Sequence, residues 1–128
     1  MRFLVALFIC LCLVCPVQAK HKHAEKYYQV KYCQGALEYR LADKTRVDCL
    51  TEDYAIEFDF AAKWAEAVGQ SLYYALKTCR KPMIALIVES DKDWRYINRA
   101  REIEASGSGH RLVEGGVYAA RTWVDELG

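Results

Sequence analysis

The segment "KPMIALIVE" (Lys81 to Glu89) constrains the fold more than any other stretch of this 128-residue chain. It is β-rich, and every residue between Met83 and Val88 is apolar. A strand that leaves one face in water alternates polar and apolar residues, whereas a continuously apolar strand must be covered on both faces. The segment therefore predicts an internal strand of a sheet that carries helices on both of its faces.

Three shorter strands are predicted upstream of this one. Residues 36–41 alternate at strand period, and residues 46–50 and 54–60 form two further short strands. Turn-forming stretches of three to four residues join the three, which predicts an antiparallel meander.

Helical periodicity marks the remaining elements. A first helix is predicted within His23 to Cys33, a second from Ala61 to about Thr78, and a third from Lys92 to Ala105 with Asp91 as its N-cap. In the second helix, the apolar stripe predicted to face the core contains Trp64, Val68, Leu72, Ala75 and Leu76. With one more strand in the tail, this order predicts an α/β fold, a single three-layer domain with a mixed central sheet.

Residues 1–19, "MRFLVALFICLCLVCPVQA", predict a cleaved signal peptide followed by one domain over residues 20–128. One basic residue, Arg2, precedes an apolar run that is short for a membrane span, and the segment ends in a small-residue cleavage pattern at Ala19. We expect a periplasmic or secreted protein with no stable membrane association after cleavage. A retained N-terminal anchor, or lipid attachment at Cys15, is the alternative.

Charge and cysteine content bear on the partners of the protein and on the state of its thiols. The chain has 18 Lys and Arg and 17 Asp and Glu residues, and this near balance gives no support for a broad polyanion-binding surface. Beyond residue 19 the cysteines are Cys33, Cys49 and Cys79. An oxidising compartment predicts one disulfide and one free thiol, with all three pairings open, and three buried reduced cysteines are the alternative.

Three carboxylates on the second and third predicted strands form the candidate site. Glu57 and Asp59 share one strand face because side chains alternate, and Asp48 lies on the neighbouring strand. Repulsion among converging carboxylates raises their pKa values unless a cation lies between them. Hard oxygen ligands of this kind suit Mg²⁺, which takes only one or two carboxylates from a protein.

The second predicted helix adds a polar stripe. At 100° per residue, Gln70 and Tyr74 each fall within about 20° of Lys63. The stripe begins four residues after Asp59, so we expect it to face the carboxylates and to bring the charge of Lys63 beside a metal-bound nucleophile.

These residues together resemble the PD-(D/E)xK nuclease superfamily over roughly Glu25 to Glu89. Asp48 and Glu57 match its two acids, Glu25 matches an acid on the first helix, and Gln70 with Tyr74 matches the Gln-x-x-x-Tyr of its recombination branch. The lysine of the family belongs at position 59, where this chain has Asp59, and Lys63 is the candidate replacement.

The resemblance implies a restriction-endonuclease-like core with a parallel fourth strand, and metal-dependent hydrolysis of DNA phosphodiester bonds. It implies that Asp48, Glu57 and a strand carbonyl near Phe58 hold Mg²⁺ or Mn²⁺. Lys63 would then orient the nucleophile or stabilise the phosphate. Gln70 and Tyr74 would shape the site or contact the nucleic-acid backbone.

Other interpretations compete with each part of this site. The three carboxylates and Lys63 fit a solvated surface, Gln70 and Tyr74 fit a packing pair, and Glu25 fits a surface charge. His21 and His23 are predicted to lie in a frayed terminus, and His110 in a loop. The rival functions are a catalytically inactive binding module for nucleic acid or protein, and an exported structural adaptor. Substrate and oligomeric state do not follow from the sequence.

Overall fold

The computed structural model describes residues 21–106 and the backbone of residues 117–119, and within them it has a mixed α/β fold. The elements are α1 (Glu25–Tyr32), β1 (Ala36–Arg40), β2 (Arg46–Leu50), β3 (Tyr54–Phe60), α2 (Trp64–Thr78), β4 (Lys81–Ile87), α3 (Trp94–Ala105) and β5 (Val117–Ala119). The predicted signal peptide and His110 lie outside the described residues. Within the described part of the chain, no helix is both long enough and apolar enough to cross a membrane.

The five strands form one mixed sheet in the order β1-β2-β3-β4-β5. The pairs β1–β2 and β2–β3 are antiparallel, whereas β3–β4 and β4–β5 are parallel. The meander and the internal position of β4 are therefore confirmed. The register between β3 and β4 runs without a break from Tyr54 opposite Lys81 to Phe60 opposite Ile87.

Helices cover both faces of the sheet, as the apolar β4 requires. On one face, Tyr28 of α1 packs in a buried cluster with Phe58 and Met83. On the other face, residues of α2 and α3 pack with the alternate side chains of β4 in a second cluster. The members of that second cluster include Ala67, Ile84, Leu86, Ile97 and Ala100.

Several predicted boundaries are wrong by one to three residues, and local hydrogen bonds explain two of them. β1 ends at Arg40 because the backbone of Leu41 closes a turn with Thr45. α3 begins at Trp94, after a short 3-10 turn over Asp91–Asp93. At that turn, the Ser90 N–H donates to the carboxylate of Asp93, at 3.0 Å. The residue predicted as the cap was Asp91.

The side of α2 that faces the sheet differs from the predicted apolar stripe. Ala67, Ser71, Tyr74 and Ala75 are buried, whereas Leu76, which was predicted to be core, is 75% exposed. Small side chains at positions 67, 71 and 75 let the helix backbone approach the sheet closely. Trp64 and Val68, which belong to the predicted stripe, are partly buried and pack against the second cluster. Residue size, and not hydrophobicity alone, therefore sets the rotation of α2.

A disulfide between Cys33 and Cys49 joins the end of α1 to β2. The third cysteine, Cys79, is free and exposed at the end of α2. Of the three pairings that the sequence leaves open, the structure has the one that ties the short first helix to the strand that carries Asp48.

Removing this disulfide is expected to destabilise the fold. The two cysteines are 16 residues apart, and constraining a loop of that length in the unfolded chain is worth about 3 kcal/mol. Urea unfolding should therefore show a loss of this size in the Cys33→Ala/Cys49→Ala variant, and in the wild type treated with reductant. The matched control Cys79→Ala should unfold like the wild type, and equal stability of all the samples would contradict the prediction.

Two glycines should respond to alanine in opposite directions. A Cβ at Gly35 would lie 2.2 Å from the backbone oxygen of Leu50, so we expect Gly35→Ala to cost about 1–3 kcal/mol. A Cβ at Gly69, inside α2, meets nothing within 4 Å, so Gly69→Ala should stabilise by about 0.5–1 kcal/mol. Denaturant midpoints of the two variants test both signs, and shifts in the same direction would refute this assignment.

Candidate active site

The candidate site lies between β2 and β3, at the point where a side chain replaces the backbone of β2 as the hydrogen-bond partner of β3. The ladder pairs Leu50 with Ala55 and Cys49 with Ile56. Two residues further along β3, the Phe58 N–H donates to Oδ2 of Asp48, at 2.8 Å, and not to a carbonyl of β2. The Asp48 carboxylate thus replaces a backbone acceptor and is drawn into the sheet.

The backbone of β2 is irregular at this position. In a regular strand Val47 and Cys49 would share a face. Here they pack in different buried clusters, Val47 with Tyr74 and Cys49 with Phe58. Opposite Asp48 in the register of β1 and β2, Glu38 adopts a left-handed conformation with φ 48°. Irregularities of this kind redirect a side chain, as β-bulges do beside active sites. Here the redirected side chain is that of Asp48.

Glu57 and Asp59 point into the protein from β3, with only 7% and 4% of their surface exposed. The alternative of a solvated sheet face is therefore wrong. Burial raises the pKa of Glu57 to about 9, and the charges of Asp48, Glu25 and Asp59 add to that effect. Burial likewise raises the pKa of Asp48, against the opposing effect of the Phe58 N–H. Glu57 and Asp48 share a hydrogen bond, so Glu57 carries the proton of the pair.

The first turn of α1 brings a fourth carboxylate, Glu25, to the same place. Burial, together with the charges of Asp48 and Asp59, raises the pKa of Glu25 to about 7. Its Oε1 accepts a hydrogen bond from Nε2 of Gln29, at 3.0 Å. The interpretation of Glu25 as an ordinary surface charge is therefore wrong. We call Glu25, Asp48, Glu57 and Asp59 the carboxylate cluster.

Lys63 lies at the rim of the carboxylate cluster. Its Nζ is 3.7 Å from Oδ1 of Asp59, and 59% of its side chain is exposed. Burial raises the pKa of Asp59, and the Lys63 ammonium opposes that rise. The ammonium therefore offsets one buried carboxylate while its other side faces solvent.

Of the two α2 residues predicted to complete the site, only Tyr74 is placed beside the cluster. Tyr74 is buried against Val47 and Ala55. Burial raises the pKa of its phenol, and the nearby charges of Glu57 and Asp48 raise it further. Gln70 is half-buried, and no hydrogen bond joins its side chain to the carboxylate cluster within the described residues.

The Asp48–Glu57 pair suits a divalent cation that keeps most of its water ligands, and not one that is enclosed by protein ligands. Oε2 of Glu57 is buried and has no hydrogen-bond partner, which leaves it available as a ligand. Across residues 21–106, no group of three or more His, Cys, Asp or Glu side chains is arranged to hold a metal ion. Mg²⁺ needs only one or two carboxylates because it keeps several of its waters.

The sequence did not reveal the roles of Gln29 and of the two N-terminal histidines. Gln29 is 4% exposed, and its spacing of four residues from Glu25 was the available signal. His21, predicted to be frayed, stacks on Phe60 and lies 2.7 Å from a carboxylate oxygen of Glu89. His23 stacks on Tyr27. The prediction that His21 and His23 lie in a frayed terminus is therefore wrong.

Comparison of the chain with protein-family models, with curated proteins and with solved structures finds no match.

The raised pKa of Glu57 predicts how stability depends on pH in the absence of divalent cations. Its folded pKa of about 9 exceeds the ordinary 4.5, so folding favours the neutral carboxyl. That stabilisation is complete below pH 4.5 and is lost as the pH rises toward 9. Thermal unfolding in EDTA should therefore show a falling melting temperature over this range.

Replacing Glu57 by glutamine removes the titrating group and should flatten this slope. The exposed Glu52, in the turn before β3, supplies the matched control Glu52→Gln, which should keep the wild-type profile. A Glu57→Gln variant with the wild-type slope would show that Glu57 is ionised in the folded protein at neutral pH.

Proposed function

We propose that this protein is an exported, metal-dependent nuclease that hydrolyses phosphodiester bonds of DNA. The observation that carries the proposal is the convergence of four carboxylates from three separate elements, the buried Glu57 and Asp59 and the half-buried Glu25 and Asp48. Burying charge is costly, so such a cluster is expected where it performs chemistry.

The arrangement of the elements supports a restriction-endonuclease-like core. A helix, an antiparallel meander of three strands, a second helix and a fourth strand parallel to the third occur here in that order. The same order is implied by the resemblance to the PD-(D/E)xK superfamily. Asp48 and Glu57 then occupy the positions of the two metal-binding acids.

Each side chain has a role in this proposal. Asp48 and Glu57 hold Mg²⁺ or Mn²⁺, and the buried Oε2 of Glu57 is the oxygen without another partner. The bound cation supplies an acidified water and offsets charge on the phosphate. Lys63, with its exposed ammonium, holds the phosphate from the rim. Tyr74 fills the space behind the two acids and shapes the site.

The disulfide supports export. Disulfides persist in oxidising compartments and are rare where thiols are kept reduced, and Cys33–Cys49 stabilises the part of the fold that carries the site. A periplasmic or secreted location also agrees with the signal peptide predicted for residues 1–19.

A catalytically inactive nucleic-acid or protein-binding module is the second candidate, and one observation favours it. The position where related nucleases carry a lysine is occupied by Asp59, and the nearest ammonium, that of Lys63, lies against Asp59. Such a module would keep the fold and the acidic cluster without cleaving a substrate.

Nuclease assays on protein produced from the full chain separate the two candidates. With Mn²⁺ or Mg²⁺, we expect cleavage of single-stranded, duplex or branched DNA. Asp48→Asn and Glu57→Gln should each reduce the rate by more than about 100-fold, since even the partners of metal ligands cost 10- to 100-fold. Lys63→Ala should be impaired and Lys63→Arg less so, with the exposed Lys92→Ala as the charge-matched control.

Two results would contradict the proposal in different ways. Full activity in Asp48→Asn would mean that the site is elsewhere. A wild type that binds nucleic acid but never cleaves it would establish the binding module. Mn²⁺-dependent thermal stabilisation that disappears in Glu57→Gln would support the metal site independently of activity.

A further inference from the structure

Five aromatic rings form a continuous cluster at the start of the described chain. The ring of His21 stacks on Phe60 with centroids 3.5 Å apart, and the ring of His23 stacks on Tyr27 at 4.0 Å. Tyr28 meets His23, Tyr27 and Phe60 edge-on and so links the two stacks. We call these five rings the aromatic platform.

The aromatic platform adjoins the carboxylate cluster on both sides. Phe60 directly follows Asp59, and its N–H donates to Oδ1 of Asp59 at 2.8 Å. Glu25 lies between His23 and Tyr27 in the chain, at the first turn of α1. The platform and the carboxylate cluster therefore share the end of β3 and the first turn of α1.

The outer rings of the platform are exposed and are not needed for the core. Tyr28 is buried and packs against the sheet, whereas Tyr27 is 44% exposed and the side chain of His21 is 48% exposed. A ligand can therefore contact these two rings from solvent. A nucleic-acid base of any sequence suits this contact, because every base has a π-face that stacks on aromatic side chains.

Lysines beside the platform supply positive charge for an anionic partner. Two acidic residues are paired with the same segment, Glu38 with Lys26 and Glu89 with His21. Residues 21–32 contain the three lysines Lys22, Lys26 and Lys31 and a single acidic residue, Glu25. The ammonium of Lys31 lies 5.8 Å from the centre of the Tyr27 ring. Positive charge interleaved with aromatic rings is the combination that binds single strands, since the charges follow the phosphates and the rings stack the bases.

We propose that the aromatic platform binds the bases of single-stranded nucleic acid and presents the adjacent phosphate to the carboxylate cluster. In a duplex, the faces of the bases are stacked on one another and cannot reach His23 or Tyr27, whereas a single strand or a frayed end exposes them. The inference deepens the proposed nuclease function by naming its substrate class, and it rests on that function only for the cleavage step.

Binding can be measured without cleavage. Fluorescence anisotropy in EDTA should show that labelled oligo(dT) and oligo(U) of about 12 nucleotides bind more tightly than a duplex of the same length. Tyr27→Ala and His23→Ala should each weaken single-strand binding by roughly tenfold or more, the effect expected for losing one stacked base. Tyr27→Phe keeps the ring and should bind within about twofold of the wild type.

Tyr39→Ala is the matched control, because Tyr39 is 45% exposed but lies on β1, outside the platform. It should bind like the wild type. His21→Ala tests the second stack independently of Tyr27 and His23. Thermal unfolding of each variant verifies that its fold is intact. Binding of either oligo(dT) or oligo(U) supports the inference and identifies the preferred sugar.

Three results would overturn the inference: no binding of either oligonucleotide, equal or tighter binding of the duplex, or alanine variants that bind like the wild type. The outcomes for the nuclease are distinct. Ring-dependent binding without cleavage in Mn²⁺ retains the platform and refutes the nuclease. Cleavage that does not depend on the rings retains the nuclease and refutes the platform.

Discussion

The hydrogen bond from the Phe58 N–H to the Asp48 carboxylate is the contact on which the rest of the site depends. A backbone amide inside a covered sheet must find an acceptor, and leaving it unpaired costs about 1–3 kcal/mol. Here the acceptor is the Asp48 carboxylate. The same carboxylate therefore pairs a backbone amide of the sheet and is a metal ligand in the proposed mechanism. Because Asp48 must keep accepting this bond, the proton shared with Glu57 stays on Glu57, and burial is the main reason that the pKa of Glu57 is raised.

The elements around Asp48 are held by interactions of different kinds. The Cys33–Cys49 disulfide fastens α1 beside β2, and Tyr28 buries the inner side of that eight-residue helix. On the opposite face of the sheet, small residues let α2 approach and bring Tyr74 behind the acids. An isolated helix as short as α1 would not be stable in water, so tertiary contacts are what hold Glu25 in place.

Much of the fold could be predicted from the sequence, because its signals are local. Strands β2 and β3 begin and end where the residue pattern placed them, and the apolar run of β4 required its internal position. The break in alternation at Asp48 could not be predicted, since it depends on an amide ten residues away on another strand. The rotation of α2 was predicted wrongly because hydrophobicity indicated Leu76, whereas close packing selected the smaller residues. The docking of His21 on Phe60 requires the finished sheet edge and has no local signal.

The aspartate at position 59 determines how a positive charge reaches this site. Buried Asp59 needs a counter-charge, and Lys63 supplies it from the turn before α2, so the fold and the proposed phosphate compete for one ammonium. Asp59 also shares a hydrogen bond with Glu25, and this bond lowers its pKa as a bond from a protonated Glu25 does. The Lys63 ammonium lowers the pKa of Asp59 more than this bond does, so Lys63 is the main counter-charge of Asp59. A lysine on the strand would hold its charge inside the site, whereas here the ammonium lies at the rim, with 59% of the Lys63 side chain exposed.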